Sequence, residues 1–229
     1  MESASVRGPE PPRREPAAEA AAAEVGVGWR PADPGPLGLA AFALTTFILS
    51  MFNSGLVSSA GEPVVLGVAL AYGGLAQLLA GMWEFRRDNT FGAVAFSSYG
   101  AFWLSFWALV VFYAKAFPNA EVAGKAIGLY LIAWGIFTAY MWVASFRVST
   151  AVMVVFLLLT LTFFLLGIGN ADMNTDLVKW GGYFGLATAA AAWYASFAGV
   201  MFSLHRRWIL PVRPYRAPQR LAPPAGPIA

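Results

Sequence analysis

The sequence predicts an all-α polytopic membrane protein with six transmembrane helices, and three observations lead there. Between Leu37 and Leu204 there are six long apolar stretches, at about 37–58, 64–83, 91–114, 126–146, 150–169 and 180–204. None carries a Lys, Arg, Asp, Glu or His in its interior. Each is long enough: with about 1.5 Å of rise per residue, twenty residues cross a hydrocarbon core of roughly 30 Å, and a helix satisfies its own backbone polar groups in lipid. Composition agrees, because only 12% of the chain is charged and 59% is hydrophobic, whereas a soluble domain is about a quarter charged.

The segment before the first span, 1–32, is rich in Ala, Pro, Glu and Arg (Pro9-Glu10-Pro11-Pro12-Arg13-Arg14, then Ala17 to Ala23). Lacking an apolar h-region, it reads as a disordered cytoplasmic tail and not a cleavable signal peptide. The membrane domain then occupies 33–210. Its first span is announced by Asp33-Pro34-Gly35-Pro36, where Asp33 caps and Pro34 takes the first helical position. That span carries Thr45, Thr46, Ser50, Asn53 and Ser54. Thr46, Ser50, Asn53 and Ser54 recur every three or four residues and so share a helical face, which either lines an aqueous path or hydrogen-bonds a neighbouring helix.

The second span is rich in small residues (Gly67, Gly73, Gly74, Ala76, Ala80, Gly81) and holds Gln77, an amide that should face protein or water. Asn89-Thr90 signals the start of the third span, which carries Ser97, Ser98 and Ser105. The fourth opens with Gly124 and Gly128, and the sixth with Gly181 and Gly185, both at GxxxG spacing, suited to close packing within the protomer or between protomers. Ser149-Thr150 and Thr175-Asp176 are the start signals of the fifth and sixth spans, and Thr160 and Thr162 lie in the fifth. Single Ser and Thr residues can satisfy themselves on a carbonyl one turn back. Trp83, Trp142, Trp180 and Trp208 fall near span ends, as interfacial anchors do. The Pro-rich segment 211–229 reads as a second cytoplasmic tail.

Charge orients the bundle. Six spans put both tails and the loops near 84–90 and 146–149 on one side. That side holds Arg7, Arg13, Arg14, Arg30, Arg86, Arg87, Arg147, Arg206, Arg207, Arg213, Arg216 and Arg220, against Lys115, Lys125 and Lys179 on the other. Both termini are therefore expected in the cytoplasm. The net charge of +3 follows the membrane and implies no nucleic-acid partner.

The absences exclude much chemistry. With one histidine (His205), no cysteine and no carboxylate inside a span, no haem, di-iron or zinc site can be built in the membrane, and no metal or cofactor is expected. No nucleophile–base constellation or phosphate-cradling loop is present, so an enzyme is not expected. Nor does a buried acid offer itself as a proton carrier: Glu84 and Asp88 should be solvated partners of Arg86 and Arg87, and Glu62 lies outside. What remains is a conduit lined by hydroxyls, amides and aromatic edges, suited to weak binding and fast passage of a small solute with one polar end.

Several motifs, in order, resemble the acetate uptake transporters, also called succinate–acetate permeases, over about residues 33–210. Asp33-Pro34-Gly35-Pro36-Leu37-Gly38-Leu39 is similar to the family's Asn-Pro-Ala-Pro-Leu-Gly-Leu. Tyr72-Gly73-Gly74-Leu75-Ala76-Gln77 with Glu84, Asn89-Thr90-Phe91-Gly92, Ala95-Phe96-Ser97-Ser98-Tyr99-Gly100-Ala101-Phe102-Trp103, Tyr130-Leu131 with Trp134-Gly135, and Ile168-Gly169-Asn170 match further along. The resemblance implies a plasma-membrane transporter of acetate, related monocarboxylates or succinate, working as a proton-coupled permease or an anion channel. It also implies a homohexamer with a separate pore in each protomer. The family's constriction maps onto Phe42, Tyr99 and Leu159, flanked by Thr45, Thr46, Ser50, Asn53, Gln77, Ser98 and Thr160 as pathway-lining candidates. Asp33 and Gly35 depart from the signature and add a negative charge at the cytoplasmic mouth. The alternatives are a channel for a neutral solute (ammonia, water or undissociated acid) and a non-transporting membrane scaffold or sensor.

Overall fold

The computed structural model describes residues 31–212 and 214, so the expected tails lie almost wholly outside the described residues. Six helices follow one another, each long and apolar enough to cross a membrane: α1 (Gly35–Asn53), α2 (Val64–Arg86), α3 (Thr90–Ala116), α4 (Ala120–Ser145), α5 (Thr150–Ala171) and α6 (Thr175–His205). α1 packs mainly on α6, α6 and α4 on α5, and α2 on α3.

Helix ends differ from the apolar stretches for local reasons. α1 stops at Asn53, short of 58, because Gly55 takes a left-handed φ of 75° and the chain turns into a 3-10 segment at Ser59–Gly61. α4 and α6 begin earlier than expected, at Ala120 and Thr175. Their first turns are polar but capped: Asn119 Oδ1 accepts the Val122 N–H at 2.9 Å, and Asn174 Oδ1 accepts those of Asp176 and Leu177. The ion pairs Glu121–Lys125 and Asp176–Lys179 add support along these turns. Asn89 and Ser149 cap α3 and α5 as the sequence predicts. At α1 the capping position falls to Pro34, while Asp33 Oδ1 still accepts the Gly35 N–H at 3.0 Å.

The small residues are used inside the protomer. A Cβ on Gly128 would lie 2.7 Å from the Gly167 carbonyl oxygen, and one on Gly124 2.6 Å from that of Asn170, so the first GxxxG face seats α4 on α5. Gly181 abuts Leu166 of α5, and Gly185 abuts Ser50 of α1. Helix α2 is interrupted by a π segment, Ala71–Ala76, whose Gly73 lies against Thr45 of α1. A π turn holds an extra residue and rotates the face that follows. Gln77 emerges from it as one of the most buried side chains of the bundle.

Candidate functional site

Two cavities of about 270 Å³ each enter the bundle from opposite ends. The terminal-side cavity is walled by the beginnings of α1, α3 and α5, the end of α2 and the segment after α6, including Asp33, Gln77, Glu84, Asn89, Tyr99, Trp208 and Val212. The far-side cavity is walled by the end of α1 and by α3, α4 and α5, including Thr46, Ser50, Asn53, Glu62, Trp103, Tyr130 and Thr162. Phe42 and Leu159 line both. Phe42 and Leu159 thus form an apolar neck common to the two spaces, and the Tyr99 ring, in the terminal-side wall, backs it with its centroid 5.7 Å from that of Phe42.

Packing fixes the neck. Tyr99 also touches Trp134 and Phe137 of α4 and Phe156 of α5, at ring-centroid distances from 5.5 to 6.2 Å. Its hydroxyl lies 2.9 Å from Thr138 Oγ1. Thr138 in turn bonds the Trp134 carbonyl at 2.7 Å, and a hydroxyl has one proton to give. Tyr99 is thus the donor to Thr138, and its hydroxyl proton is unavailable to a solute. The same commitment recurs along the bundle: Thr160 donates to Phe156 O and Thr162 to Leu158 O.

Against that background the uncommitted groups stand out. Gln77 is 1% exposed, and neither its Nε2 nor its Oε1 has a hydrogen-bond partner among the described residues. Thr46 Oγ1 and Trp103 Nε1, both in residues lining the far-side cavity, are likewise unpartnered. Ser97 Oγ and Trp142 Nε1, in residues that line neither cavity, are unpartnered as well. A buried polar atom without a partner costs about 1–3 kcal/mol, so the four such atoms in cavity-lining residues are a poor way to build stability and mark candidates for contact with a solute.

The predicted residues divide between wall and packing. Phe42, Tyr99, Leu159, Thr46, Ser50, Asn53 and Gln77 all border a cavity. Thr45, Ser98 and Thr160 border neither; Thr45 donates to the Ala41 carbonyl at 3.0 Å and fills the notch at Gly73. Of the polar face of α1, Thr46, Ser50 and Asn53 line the cavity, while Ser54 donates to the Met51 carbonyl of its own helix at 3.1 Å and packs against Gly182 of α6. Trp103 and Thr162 were not singled out as site residues; the indole N–H of an apolar-looking motif was the only signal for the first.

The expectation for Glu84 requires correction. Far from being a solvated partner of Arg86 and Arg87, it is 1% exposed, lies in the wall of the terminal-side cavity and accepts a 2.8 Å hydrogen bond from Asn89 Nδ2. The α2–α3 turn folds Asn89 back over it, and Gly92 permits the approach because a Cβ there would lie 2.8 Å from the Glu84 carboxyl carbon. Arg87 pairs instead with Asp33 at the start of α1. The segment after α6 closes the same mouth from another side: Arg206 takes a left-handed φ of 56°, Trp208 stacks on Phe202, and Val212 is buried with its carbonyl accepting the Ala151 N–H.

A model described as the GPR1/FUN34/yaaH family matches residues 26–214. Acetate permease A of Emericella nidulans is 44% identical over 195 residues, which cover 79% of this chain and 65% of that protein. Ammonia transport outward protein 2 of Saccharomyces cerevisiae is 42% identical, with 74% of this chain and 61% of that protein covered. The chain thus spans less than two thirds of the length of these curated relatives. The succinate-acetate/proton symporter SatP of Escherichia coli (strain K12) is 36% identical over 79% of this chain and 95% of its own. A solved structure of the bacterial acetate channel SatP superposes with a TM-score of 0.73 at 35% identity, covering 80% of this chain and 99% of that one. With six spanning helices and these relatives, the chain is a multi-pass α-helical membrane protein.

Proposed function

Because the chain belongs to the GPR1/FUN34/yaaH family, we propose that it transports acetate and related small carboxylates, succinate among them, through a pathway inside each protomer. The observation that carries this reading is the pair of cavities that approach from opposite ends and share Phe42 and Leu159. Phe42, Tyr99 and Leu159 act as the gate, where a solute sheds water. Gln77 receives it on the terminal side, and Thr46, Ser50 and Asn53 on the far side. Thr45, Ser98 and Thr160 serve packing around that path.

The role is that of a carrier or channel and not of an enzyme, in keeping with relatives named as a permease, a symporter and a channel. The site is the plasma membrane, with both termini in the cytoplasm, as the arginine distribution supports. The terminal-side cavity then opens to the cytoplasm. Exposed apolar side chains along one side of α4 (Leu129, Ile136, Tyr140, Val143) meet lipid or neighbouring protomers, and a homohexamer accommodates both.

The test is uptake of labelled acetate by vesicles containing purified protein, with and without an inward proton gradient. Accumulation above equilibrium identifies a proton-coupled carrier, and protein-dependent equilibration without accumulation identifies a channel. Uptake no faster than in empty vesicles, with folding verified, removes acetate transport.

A further inference from the structure

We infer that the segment after α6 is a detachable wall of the terminal-side mouth, and that Trp208 and Val212 make this mouth a size threshold in series with the neck. Its consequence for substrates rests on the transport reading above, but the wall itself can be tested without transport.

The chain reaches the mouth by a defined route. At the end of α6 Arg206 takes a left-handed φ of 56° and gives its N–H to the Phe202 carbonyl at 2.8 Å, which turns the backbone out of the helix. Trp208 folds back onto Phe202, with ring centroids 4.4 Å apart and planes 25° from parallel. A tight turn, in which Val212 donates to the Leu210 carbonyl at 2.9 Å, then delivers Val212 to the start of α5. There the Val212 carbonyl accepts the Ala151 N–H at 3.4 Å, and Pro214 stands opposite Ser149 in an antiparallel bridge. Both pairings, 151 with 212 and 149 with 214, belong to one register. Trp208, Val212 and Pro214 all line the terminal-side cavity.

The attachment is specific but slight. Val212 is buried, whereas Trp208 and Pro214 are exposed. Pro211 and Pro214 have no N–H to add to a ladder. Among the described residues, one buried valine, one ring stack and one long backbone hydrogen bond hold the wall to the bundle. A segment with so few contacts opens locally at far lower cost than a spanning helix. The other walls belong to α1, α2, α3 and α5, which pack against neighbouring helices along the bundle. Only this wall can yield. Docked, it leaves an entrance for small solutes; parted, it admits larger ones.

The chain contains no cysteine, so a single introduced one reports access. Ala195 of α6 lines the terminal-side cavity and not the other. It lies about 15 Å inside the helix end at His205 by helical rise. The intact Ala195→Cys chain is labelled with a small methanethiosulfonate and with a bulky maleimide, each rate being normalised to that of the denatured protein. Val212→Asp should release the segment, because a carboxylate at that buried position would share the cavity wall with Asp33 and Glu84. Bulky-reagent labelling should then rise about tenfold, with the small-reagent rate changed less than about twofold. Trp208→Ala, which removes only the ring, should give a smaller rise in the same direction and carries the test if Val212→Asp does not fold. In vesicles, the same substitutions added to Phe42→Ala should further raise the flux of acids bulkier than acetate relative to acetate. Bulky-reagent labelling unchanged by the substitutions, or a rise shared equally by both reagents, would overturn the inference whatever the flux. The expected labelling without any acetate flux would remove the transport reading and leave the wall in place.

Discussion

The two cavities enclose equal volumes and share the Phe42–Leu159 neck, yet their walls are built differently. On the far side Thr46, Ser50 and Asn53 share one face of α1, and Glu62, Trp103, Tyr130, Thr162 and Asn170 add polar groups from the loop before α2 and from α3, α4 and α5. On the terminal side they come from folding-back: a glutamine placed by a π segment, a glutamate covered by its own turn, and a mouth bordered by Trp208 and Val212 of the segment after α6. One polar face of the far wall is a property of a single helix, whereas the polar groups of the terminal wall depend on folding-back between elements. The expectation that follows is that selection is concentrated on the terminal side, where Gln77 is held with both amide atoms unpartnered.

The largest expected effect comes from parting α6 from α1, the helix that borders both cavities. A Cβ on Gly182 would come within 2.6 Å of Ser54 Cα, backbone that cannot yield without parting α6 from α1. Gly182→Val should cost on the order of 3 kcal/mol and leave little folded protein, read as a collapse of thermal stability in detergent. An unchanged melting profile would show that the α1–α6 contact is looser than described. Next comes the neck: Phe42→Ala merges the two spaces, and vesicle flux of acids bulkier than acetate should rise about tenfold relative to acetate. If relative rates stay as they were, Phe42 does not set the width.

A matched pair then compares the cavities directly. Gln77→Leu should lower acetate flux more than Thr46→Val does, and should at the same time stabilise the protein by about 1 kcal/mol, since it removes an unpartnered buried amide. Equal loss of flux in the two variants would end the claim that selection is concentrated on the terminal side. The smallest effect is expected at the surface of that mouth. Asp33→Asn breaks the pair with Arg87, whose side chain and that of Asp33 are 34% and 47% exposed. The stability change should be under about 1 kcal/mol, measured by the same thermal assay.

Much of this contrast was legible in the sequence on the far side and little on the terminal side. Thr46, Ser50 and Asn53 are spaced for one face, and a face is a local property that spacing reveals. Glu84 lies two and three residues before arginines, which locally reads as a solvated cluster; only the turn that brings Asn89 back, and the glycine at 92 that admits the carboxyl, bury it. Thr45 looked equivalent to Thr46, but Gly73 of another helix claims its side. The Tyr99 hydroxyl gives its proton to Thr138, 39 residues away, a commitment that no local spacing reveals.

By itself the sequence determined that this protein has six spans and which family it resembles. Hydropathy, caps and charge asymmetry each act within a few residues of chain, so they can be read from it. The tertiary structure alone decided which polar groups keep a free hydrogen bond and where the two cavities meet. Those depend on contacts between helices distant in sequence, where a single glycine or hydroxyl on one helix commits or releases a side chain on another.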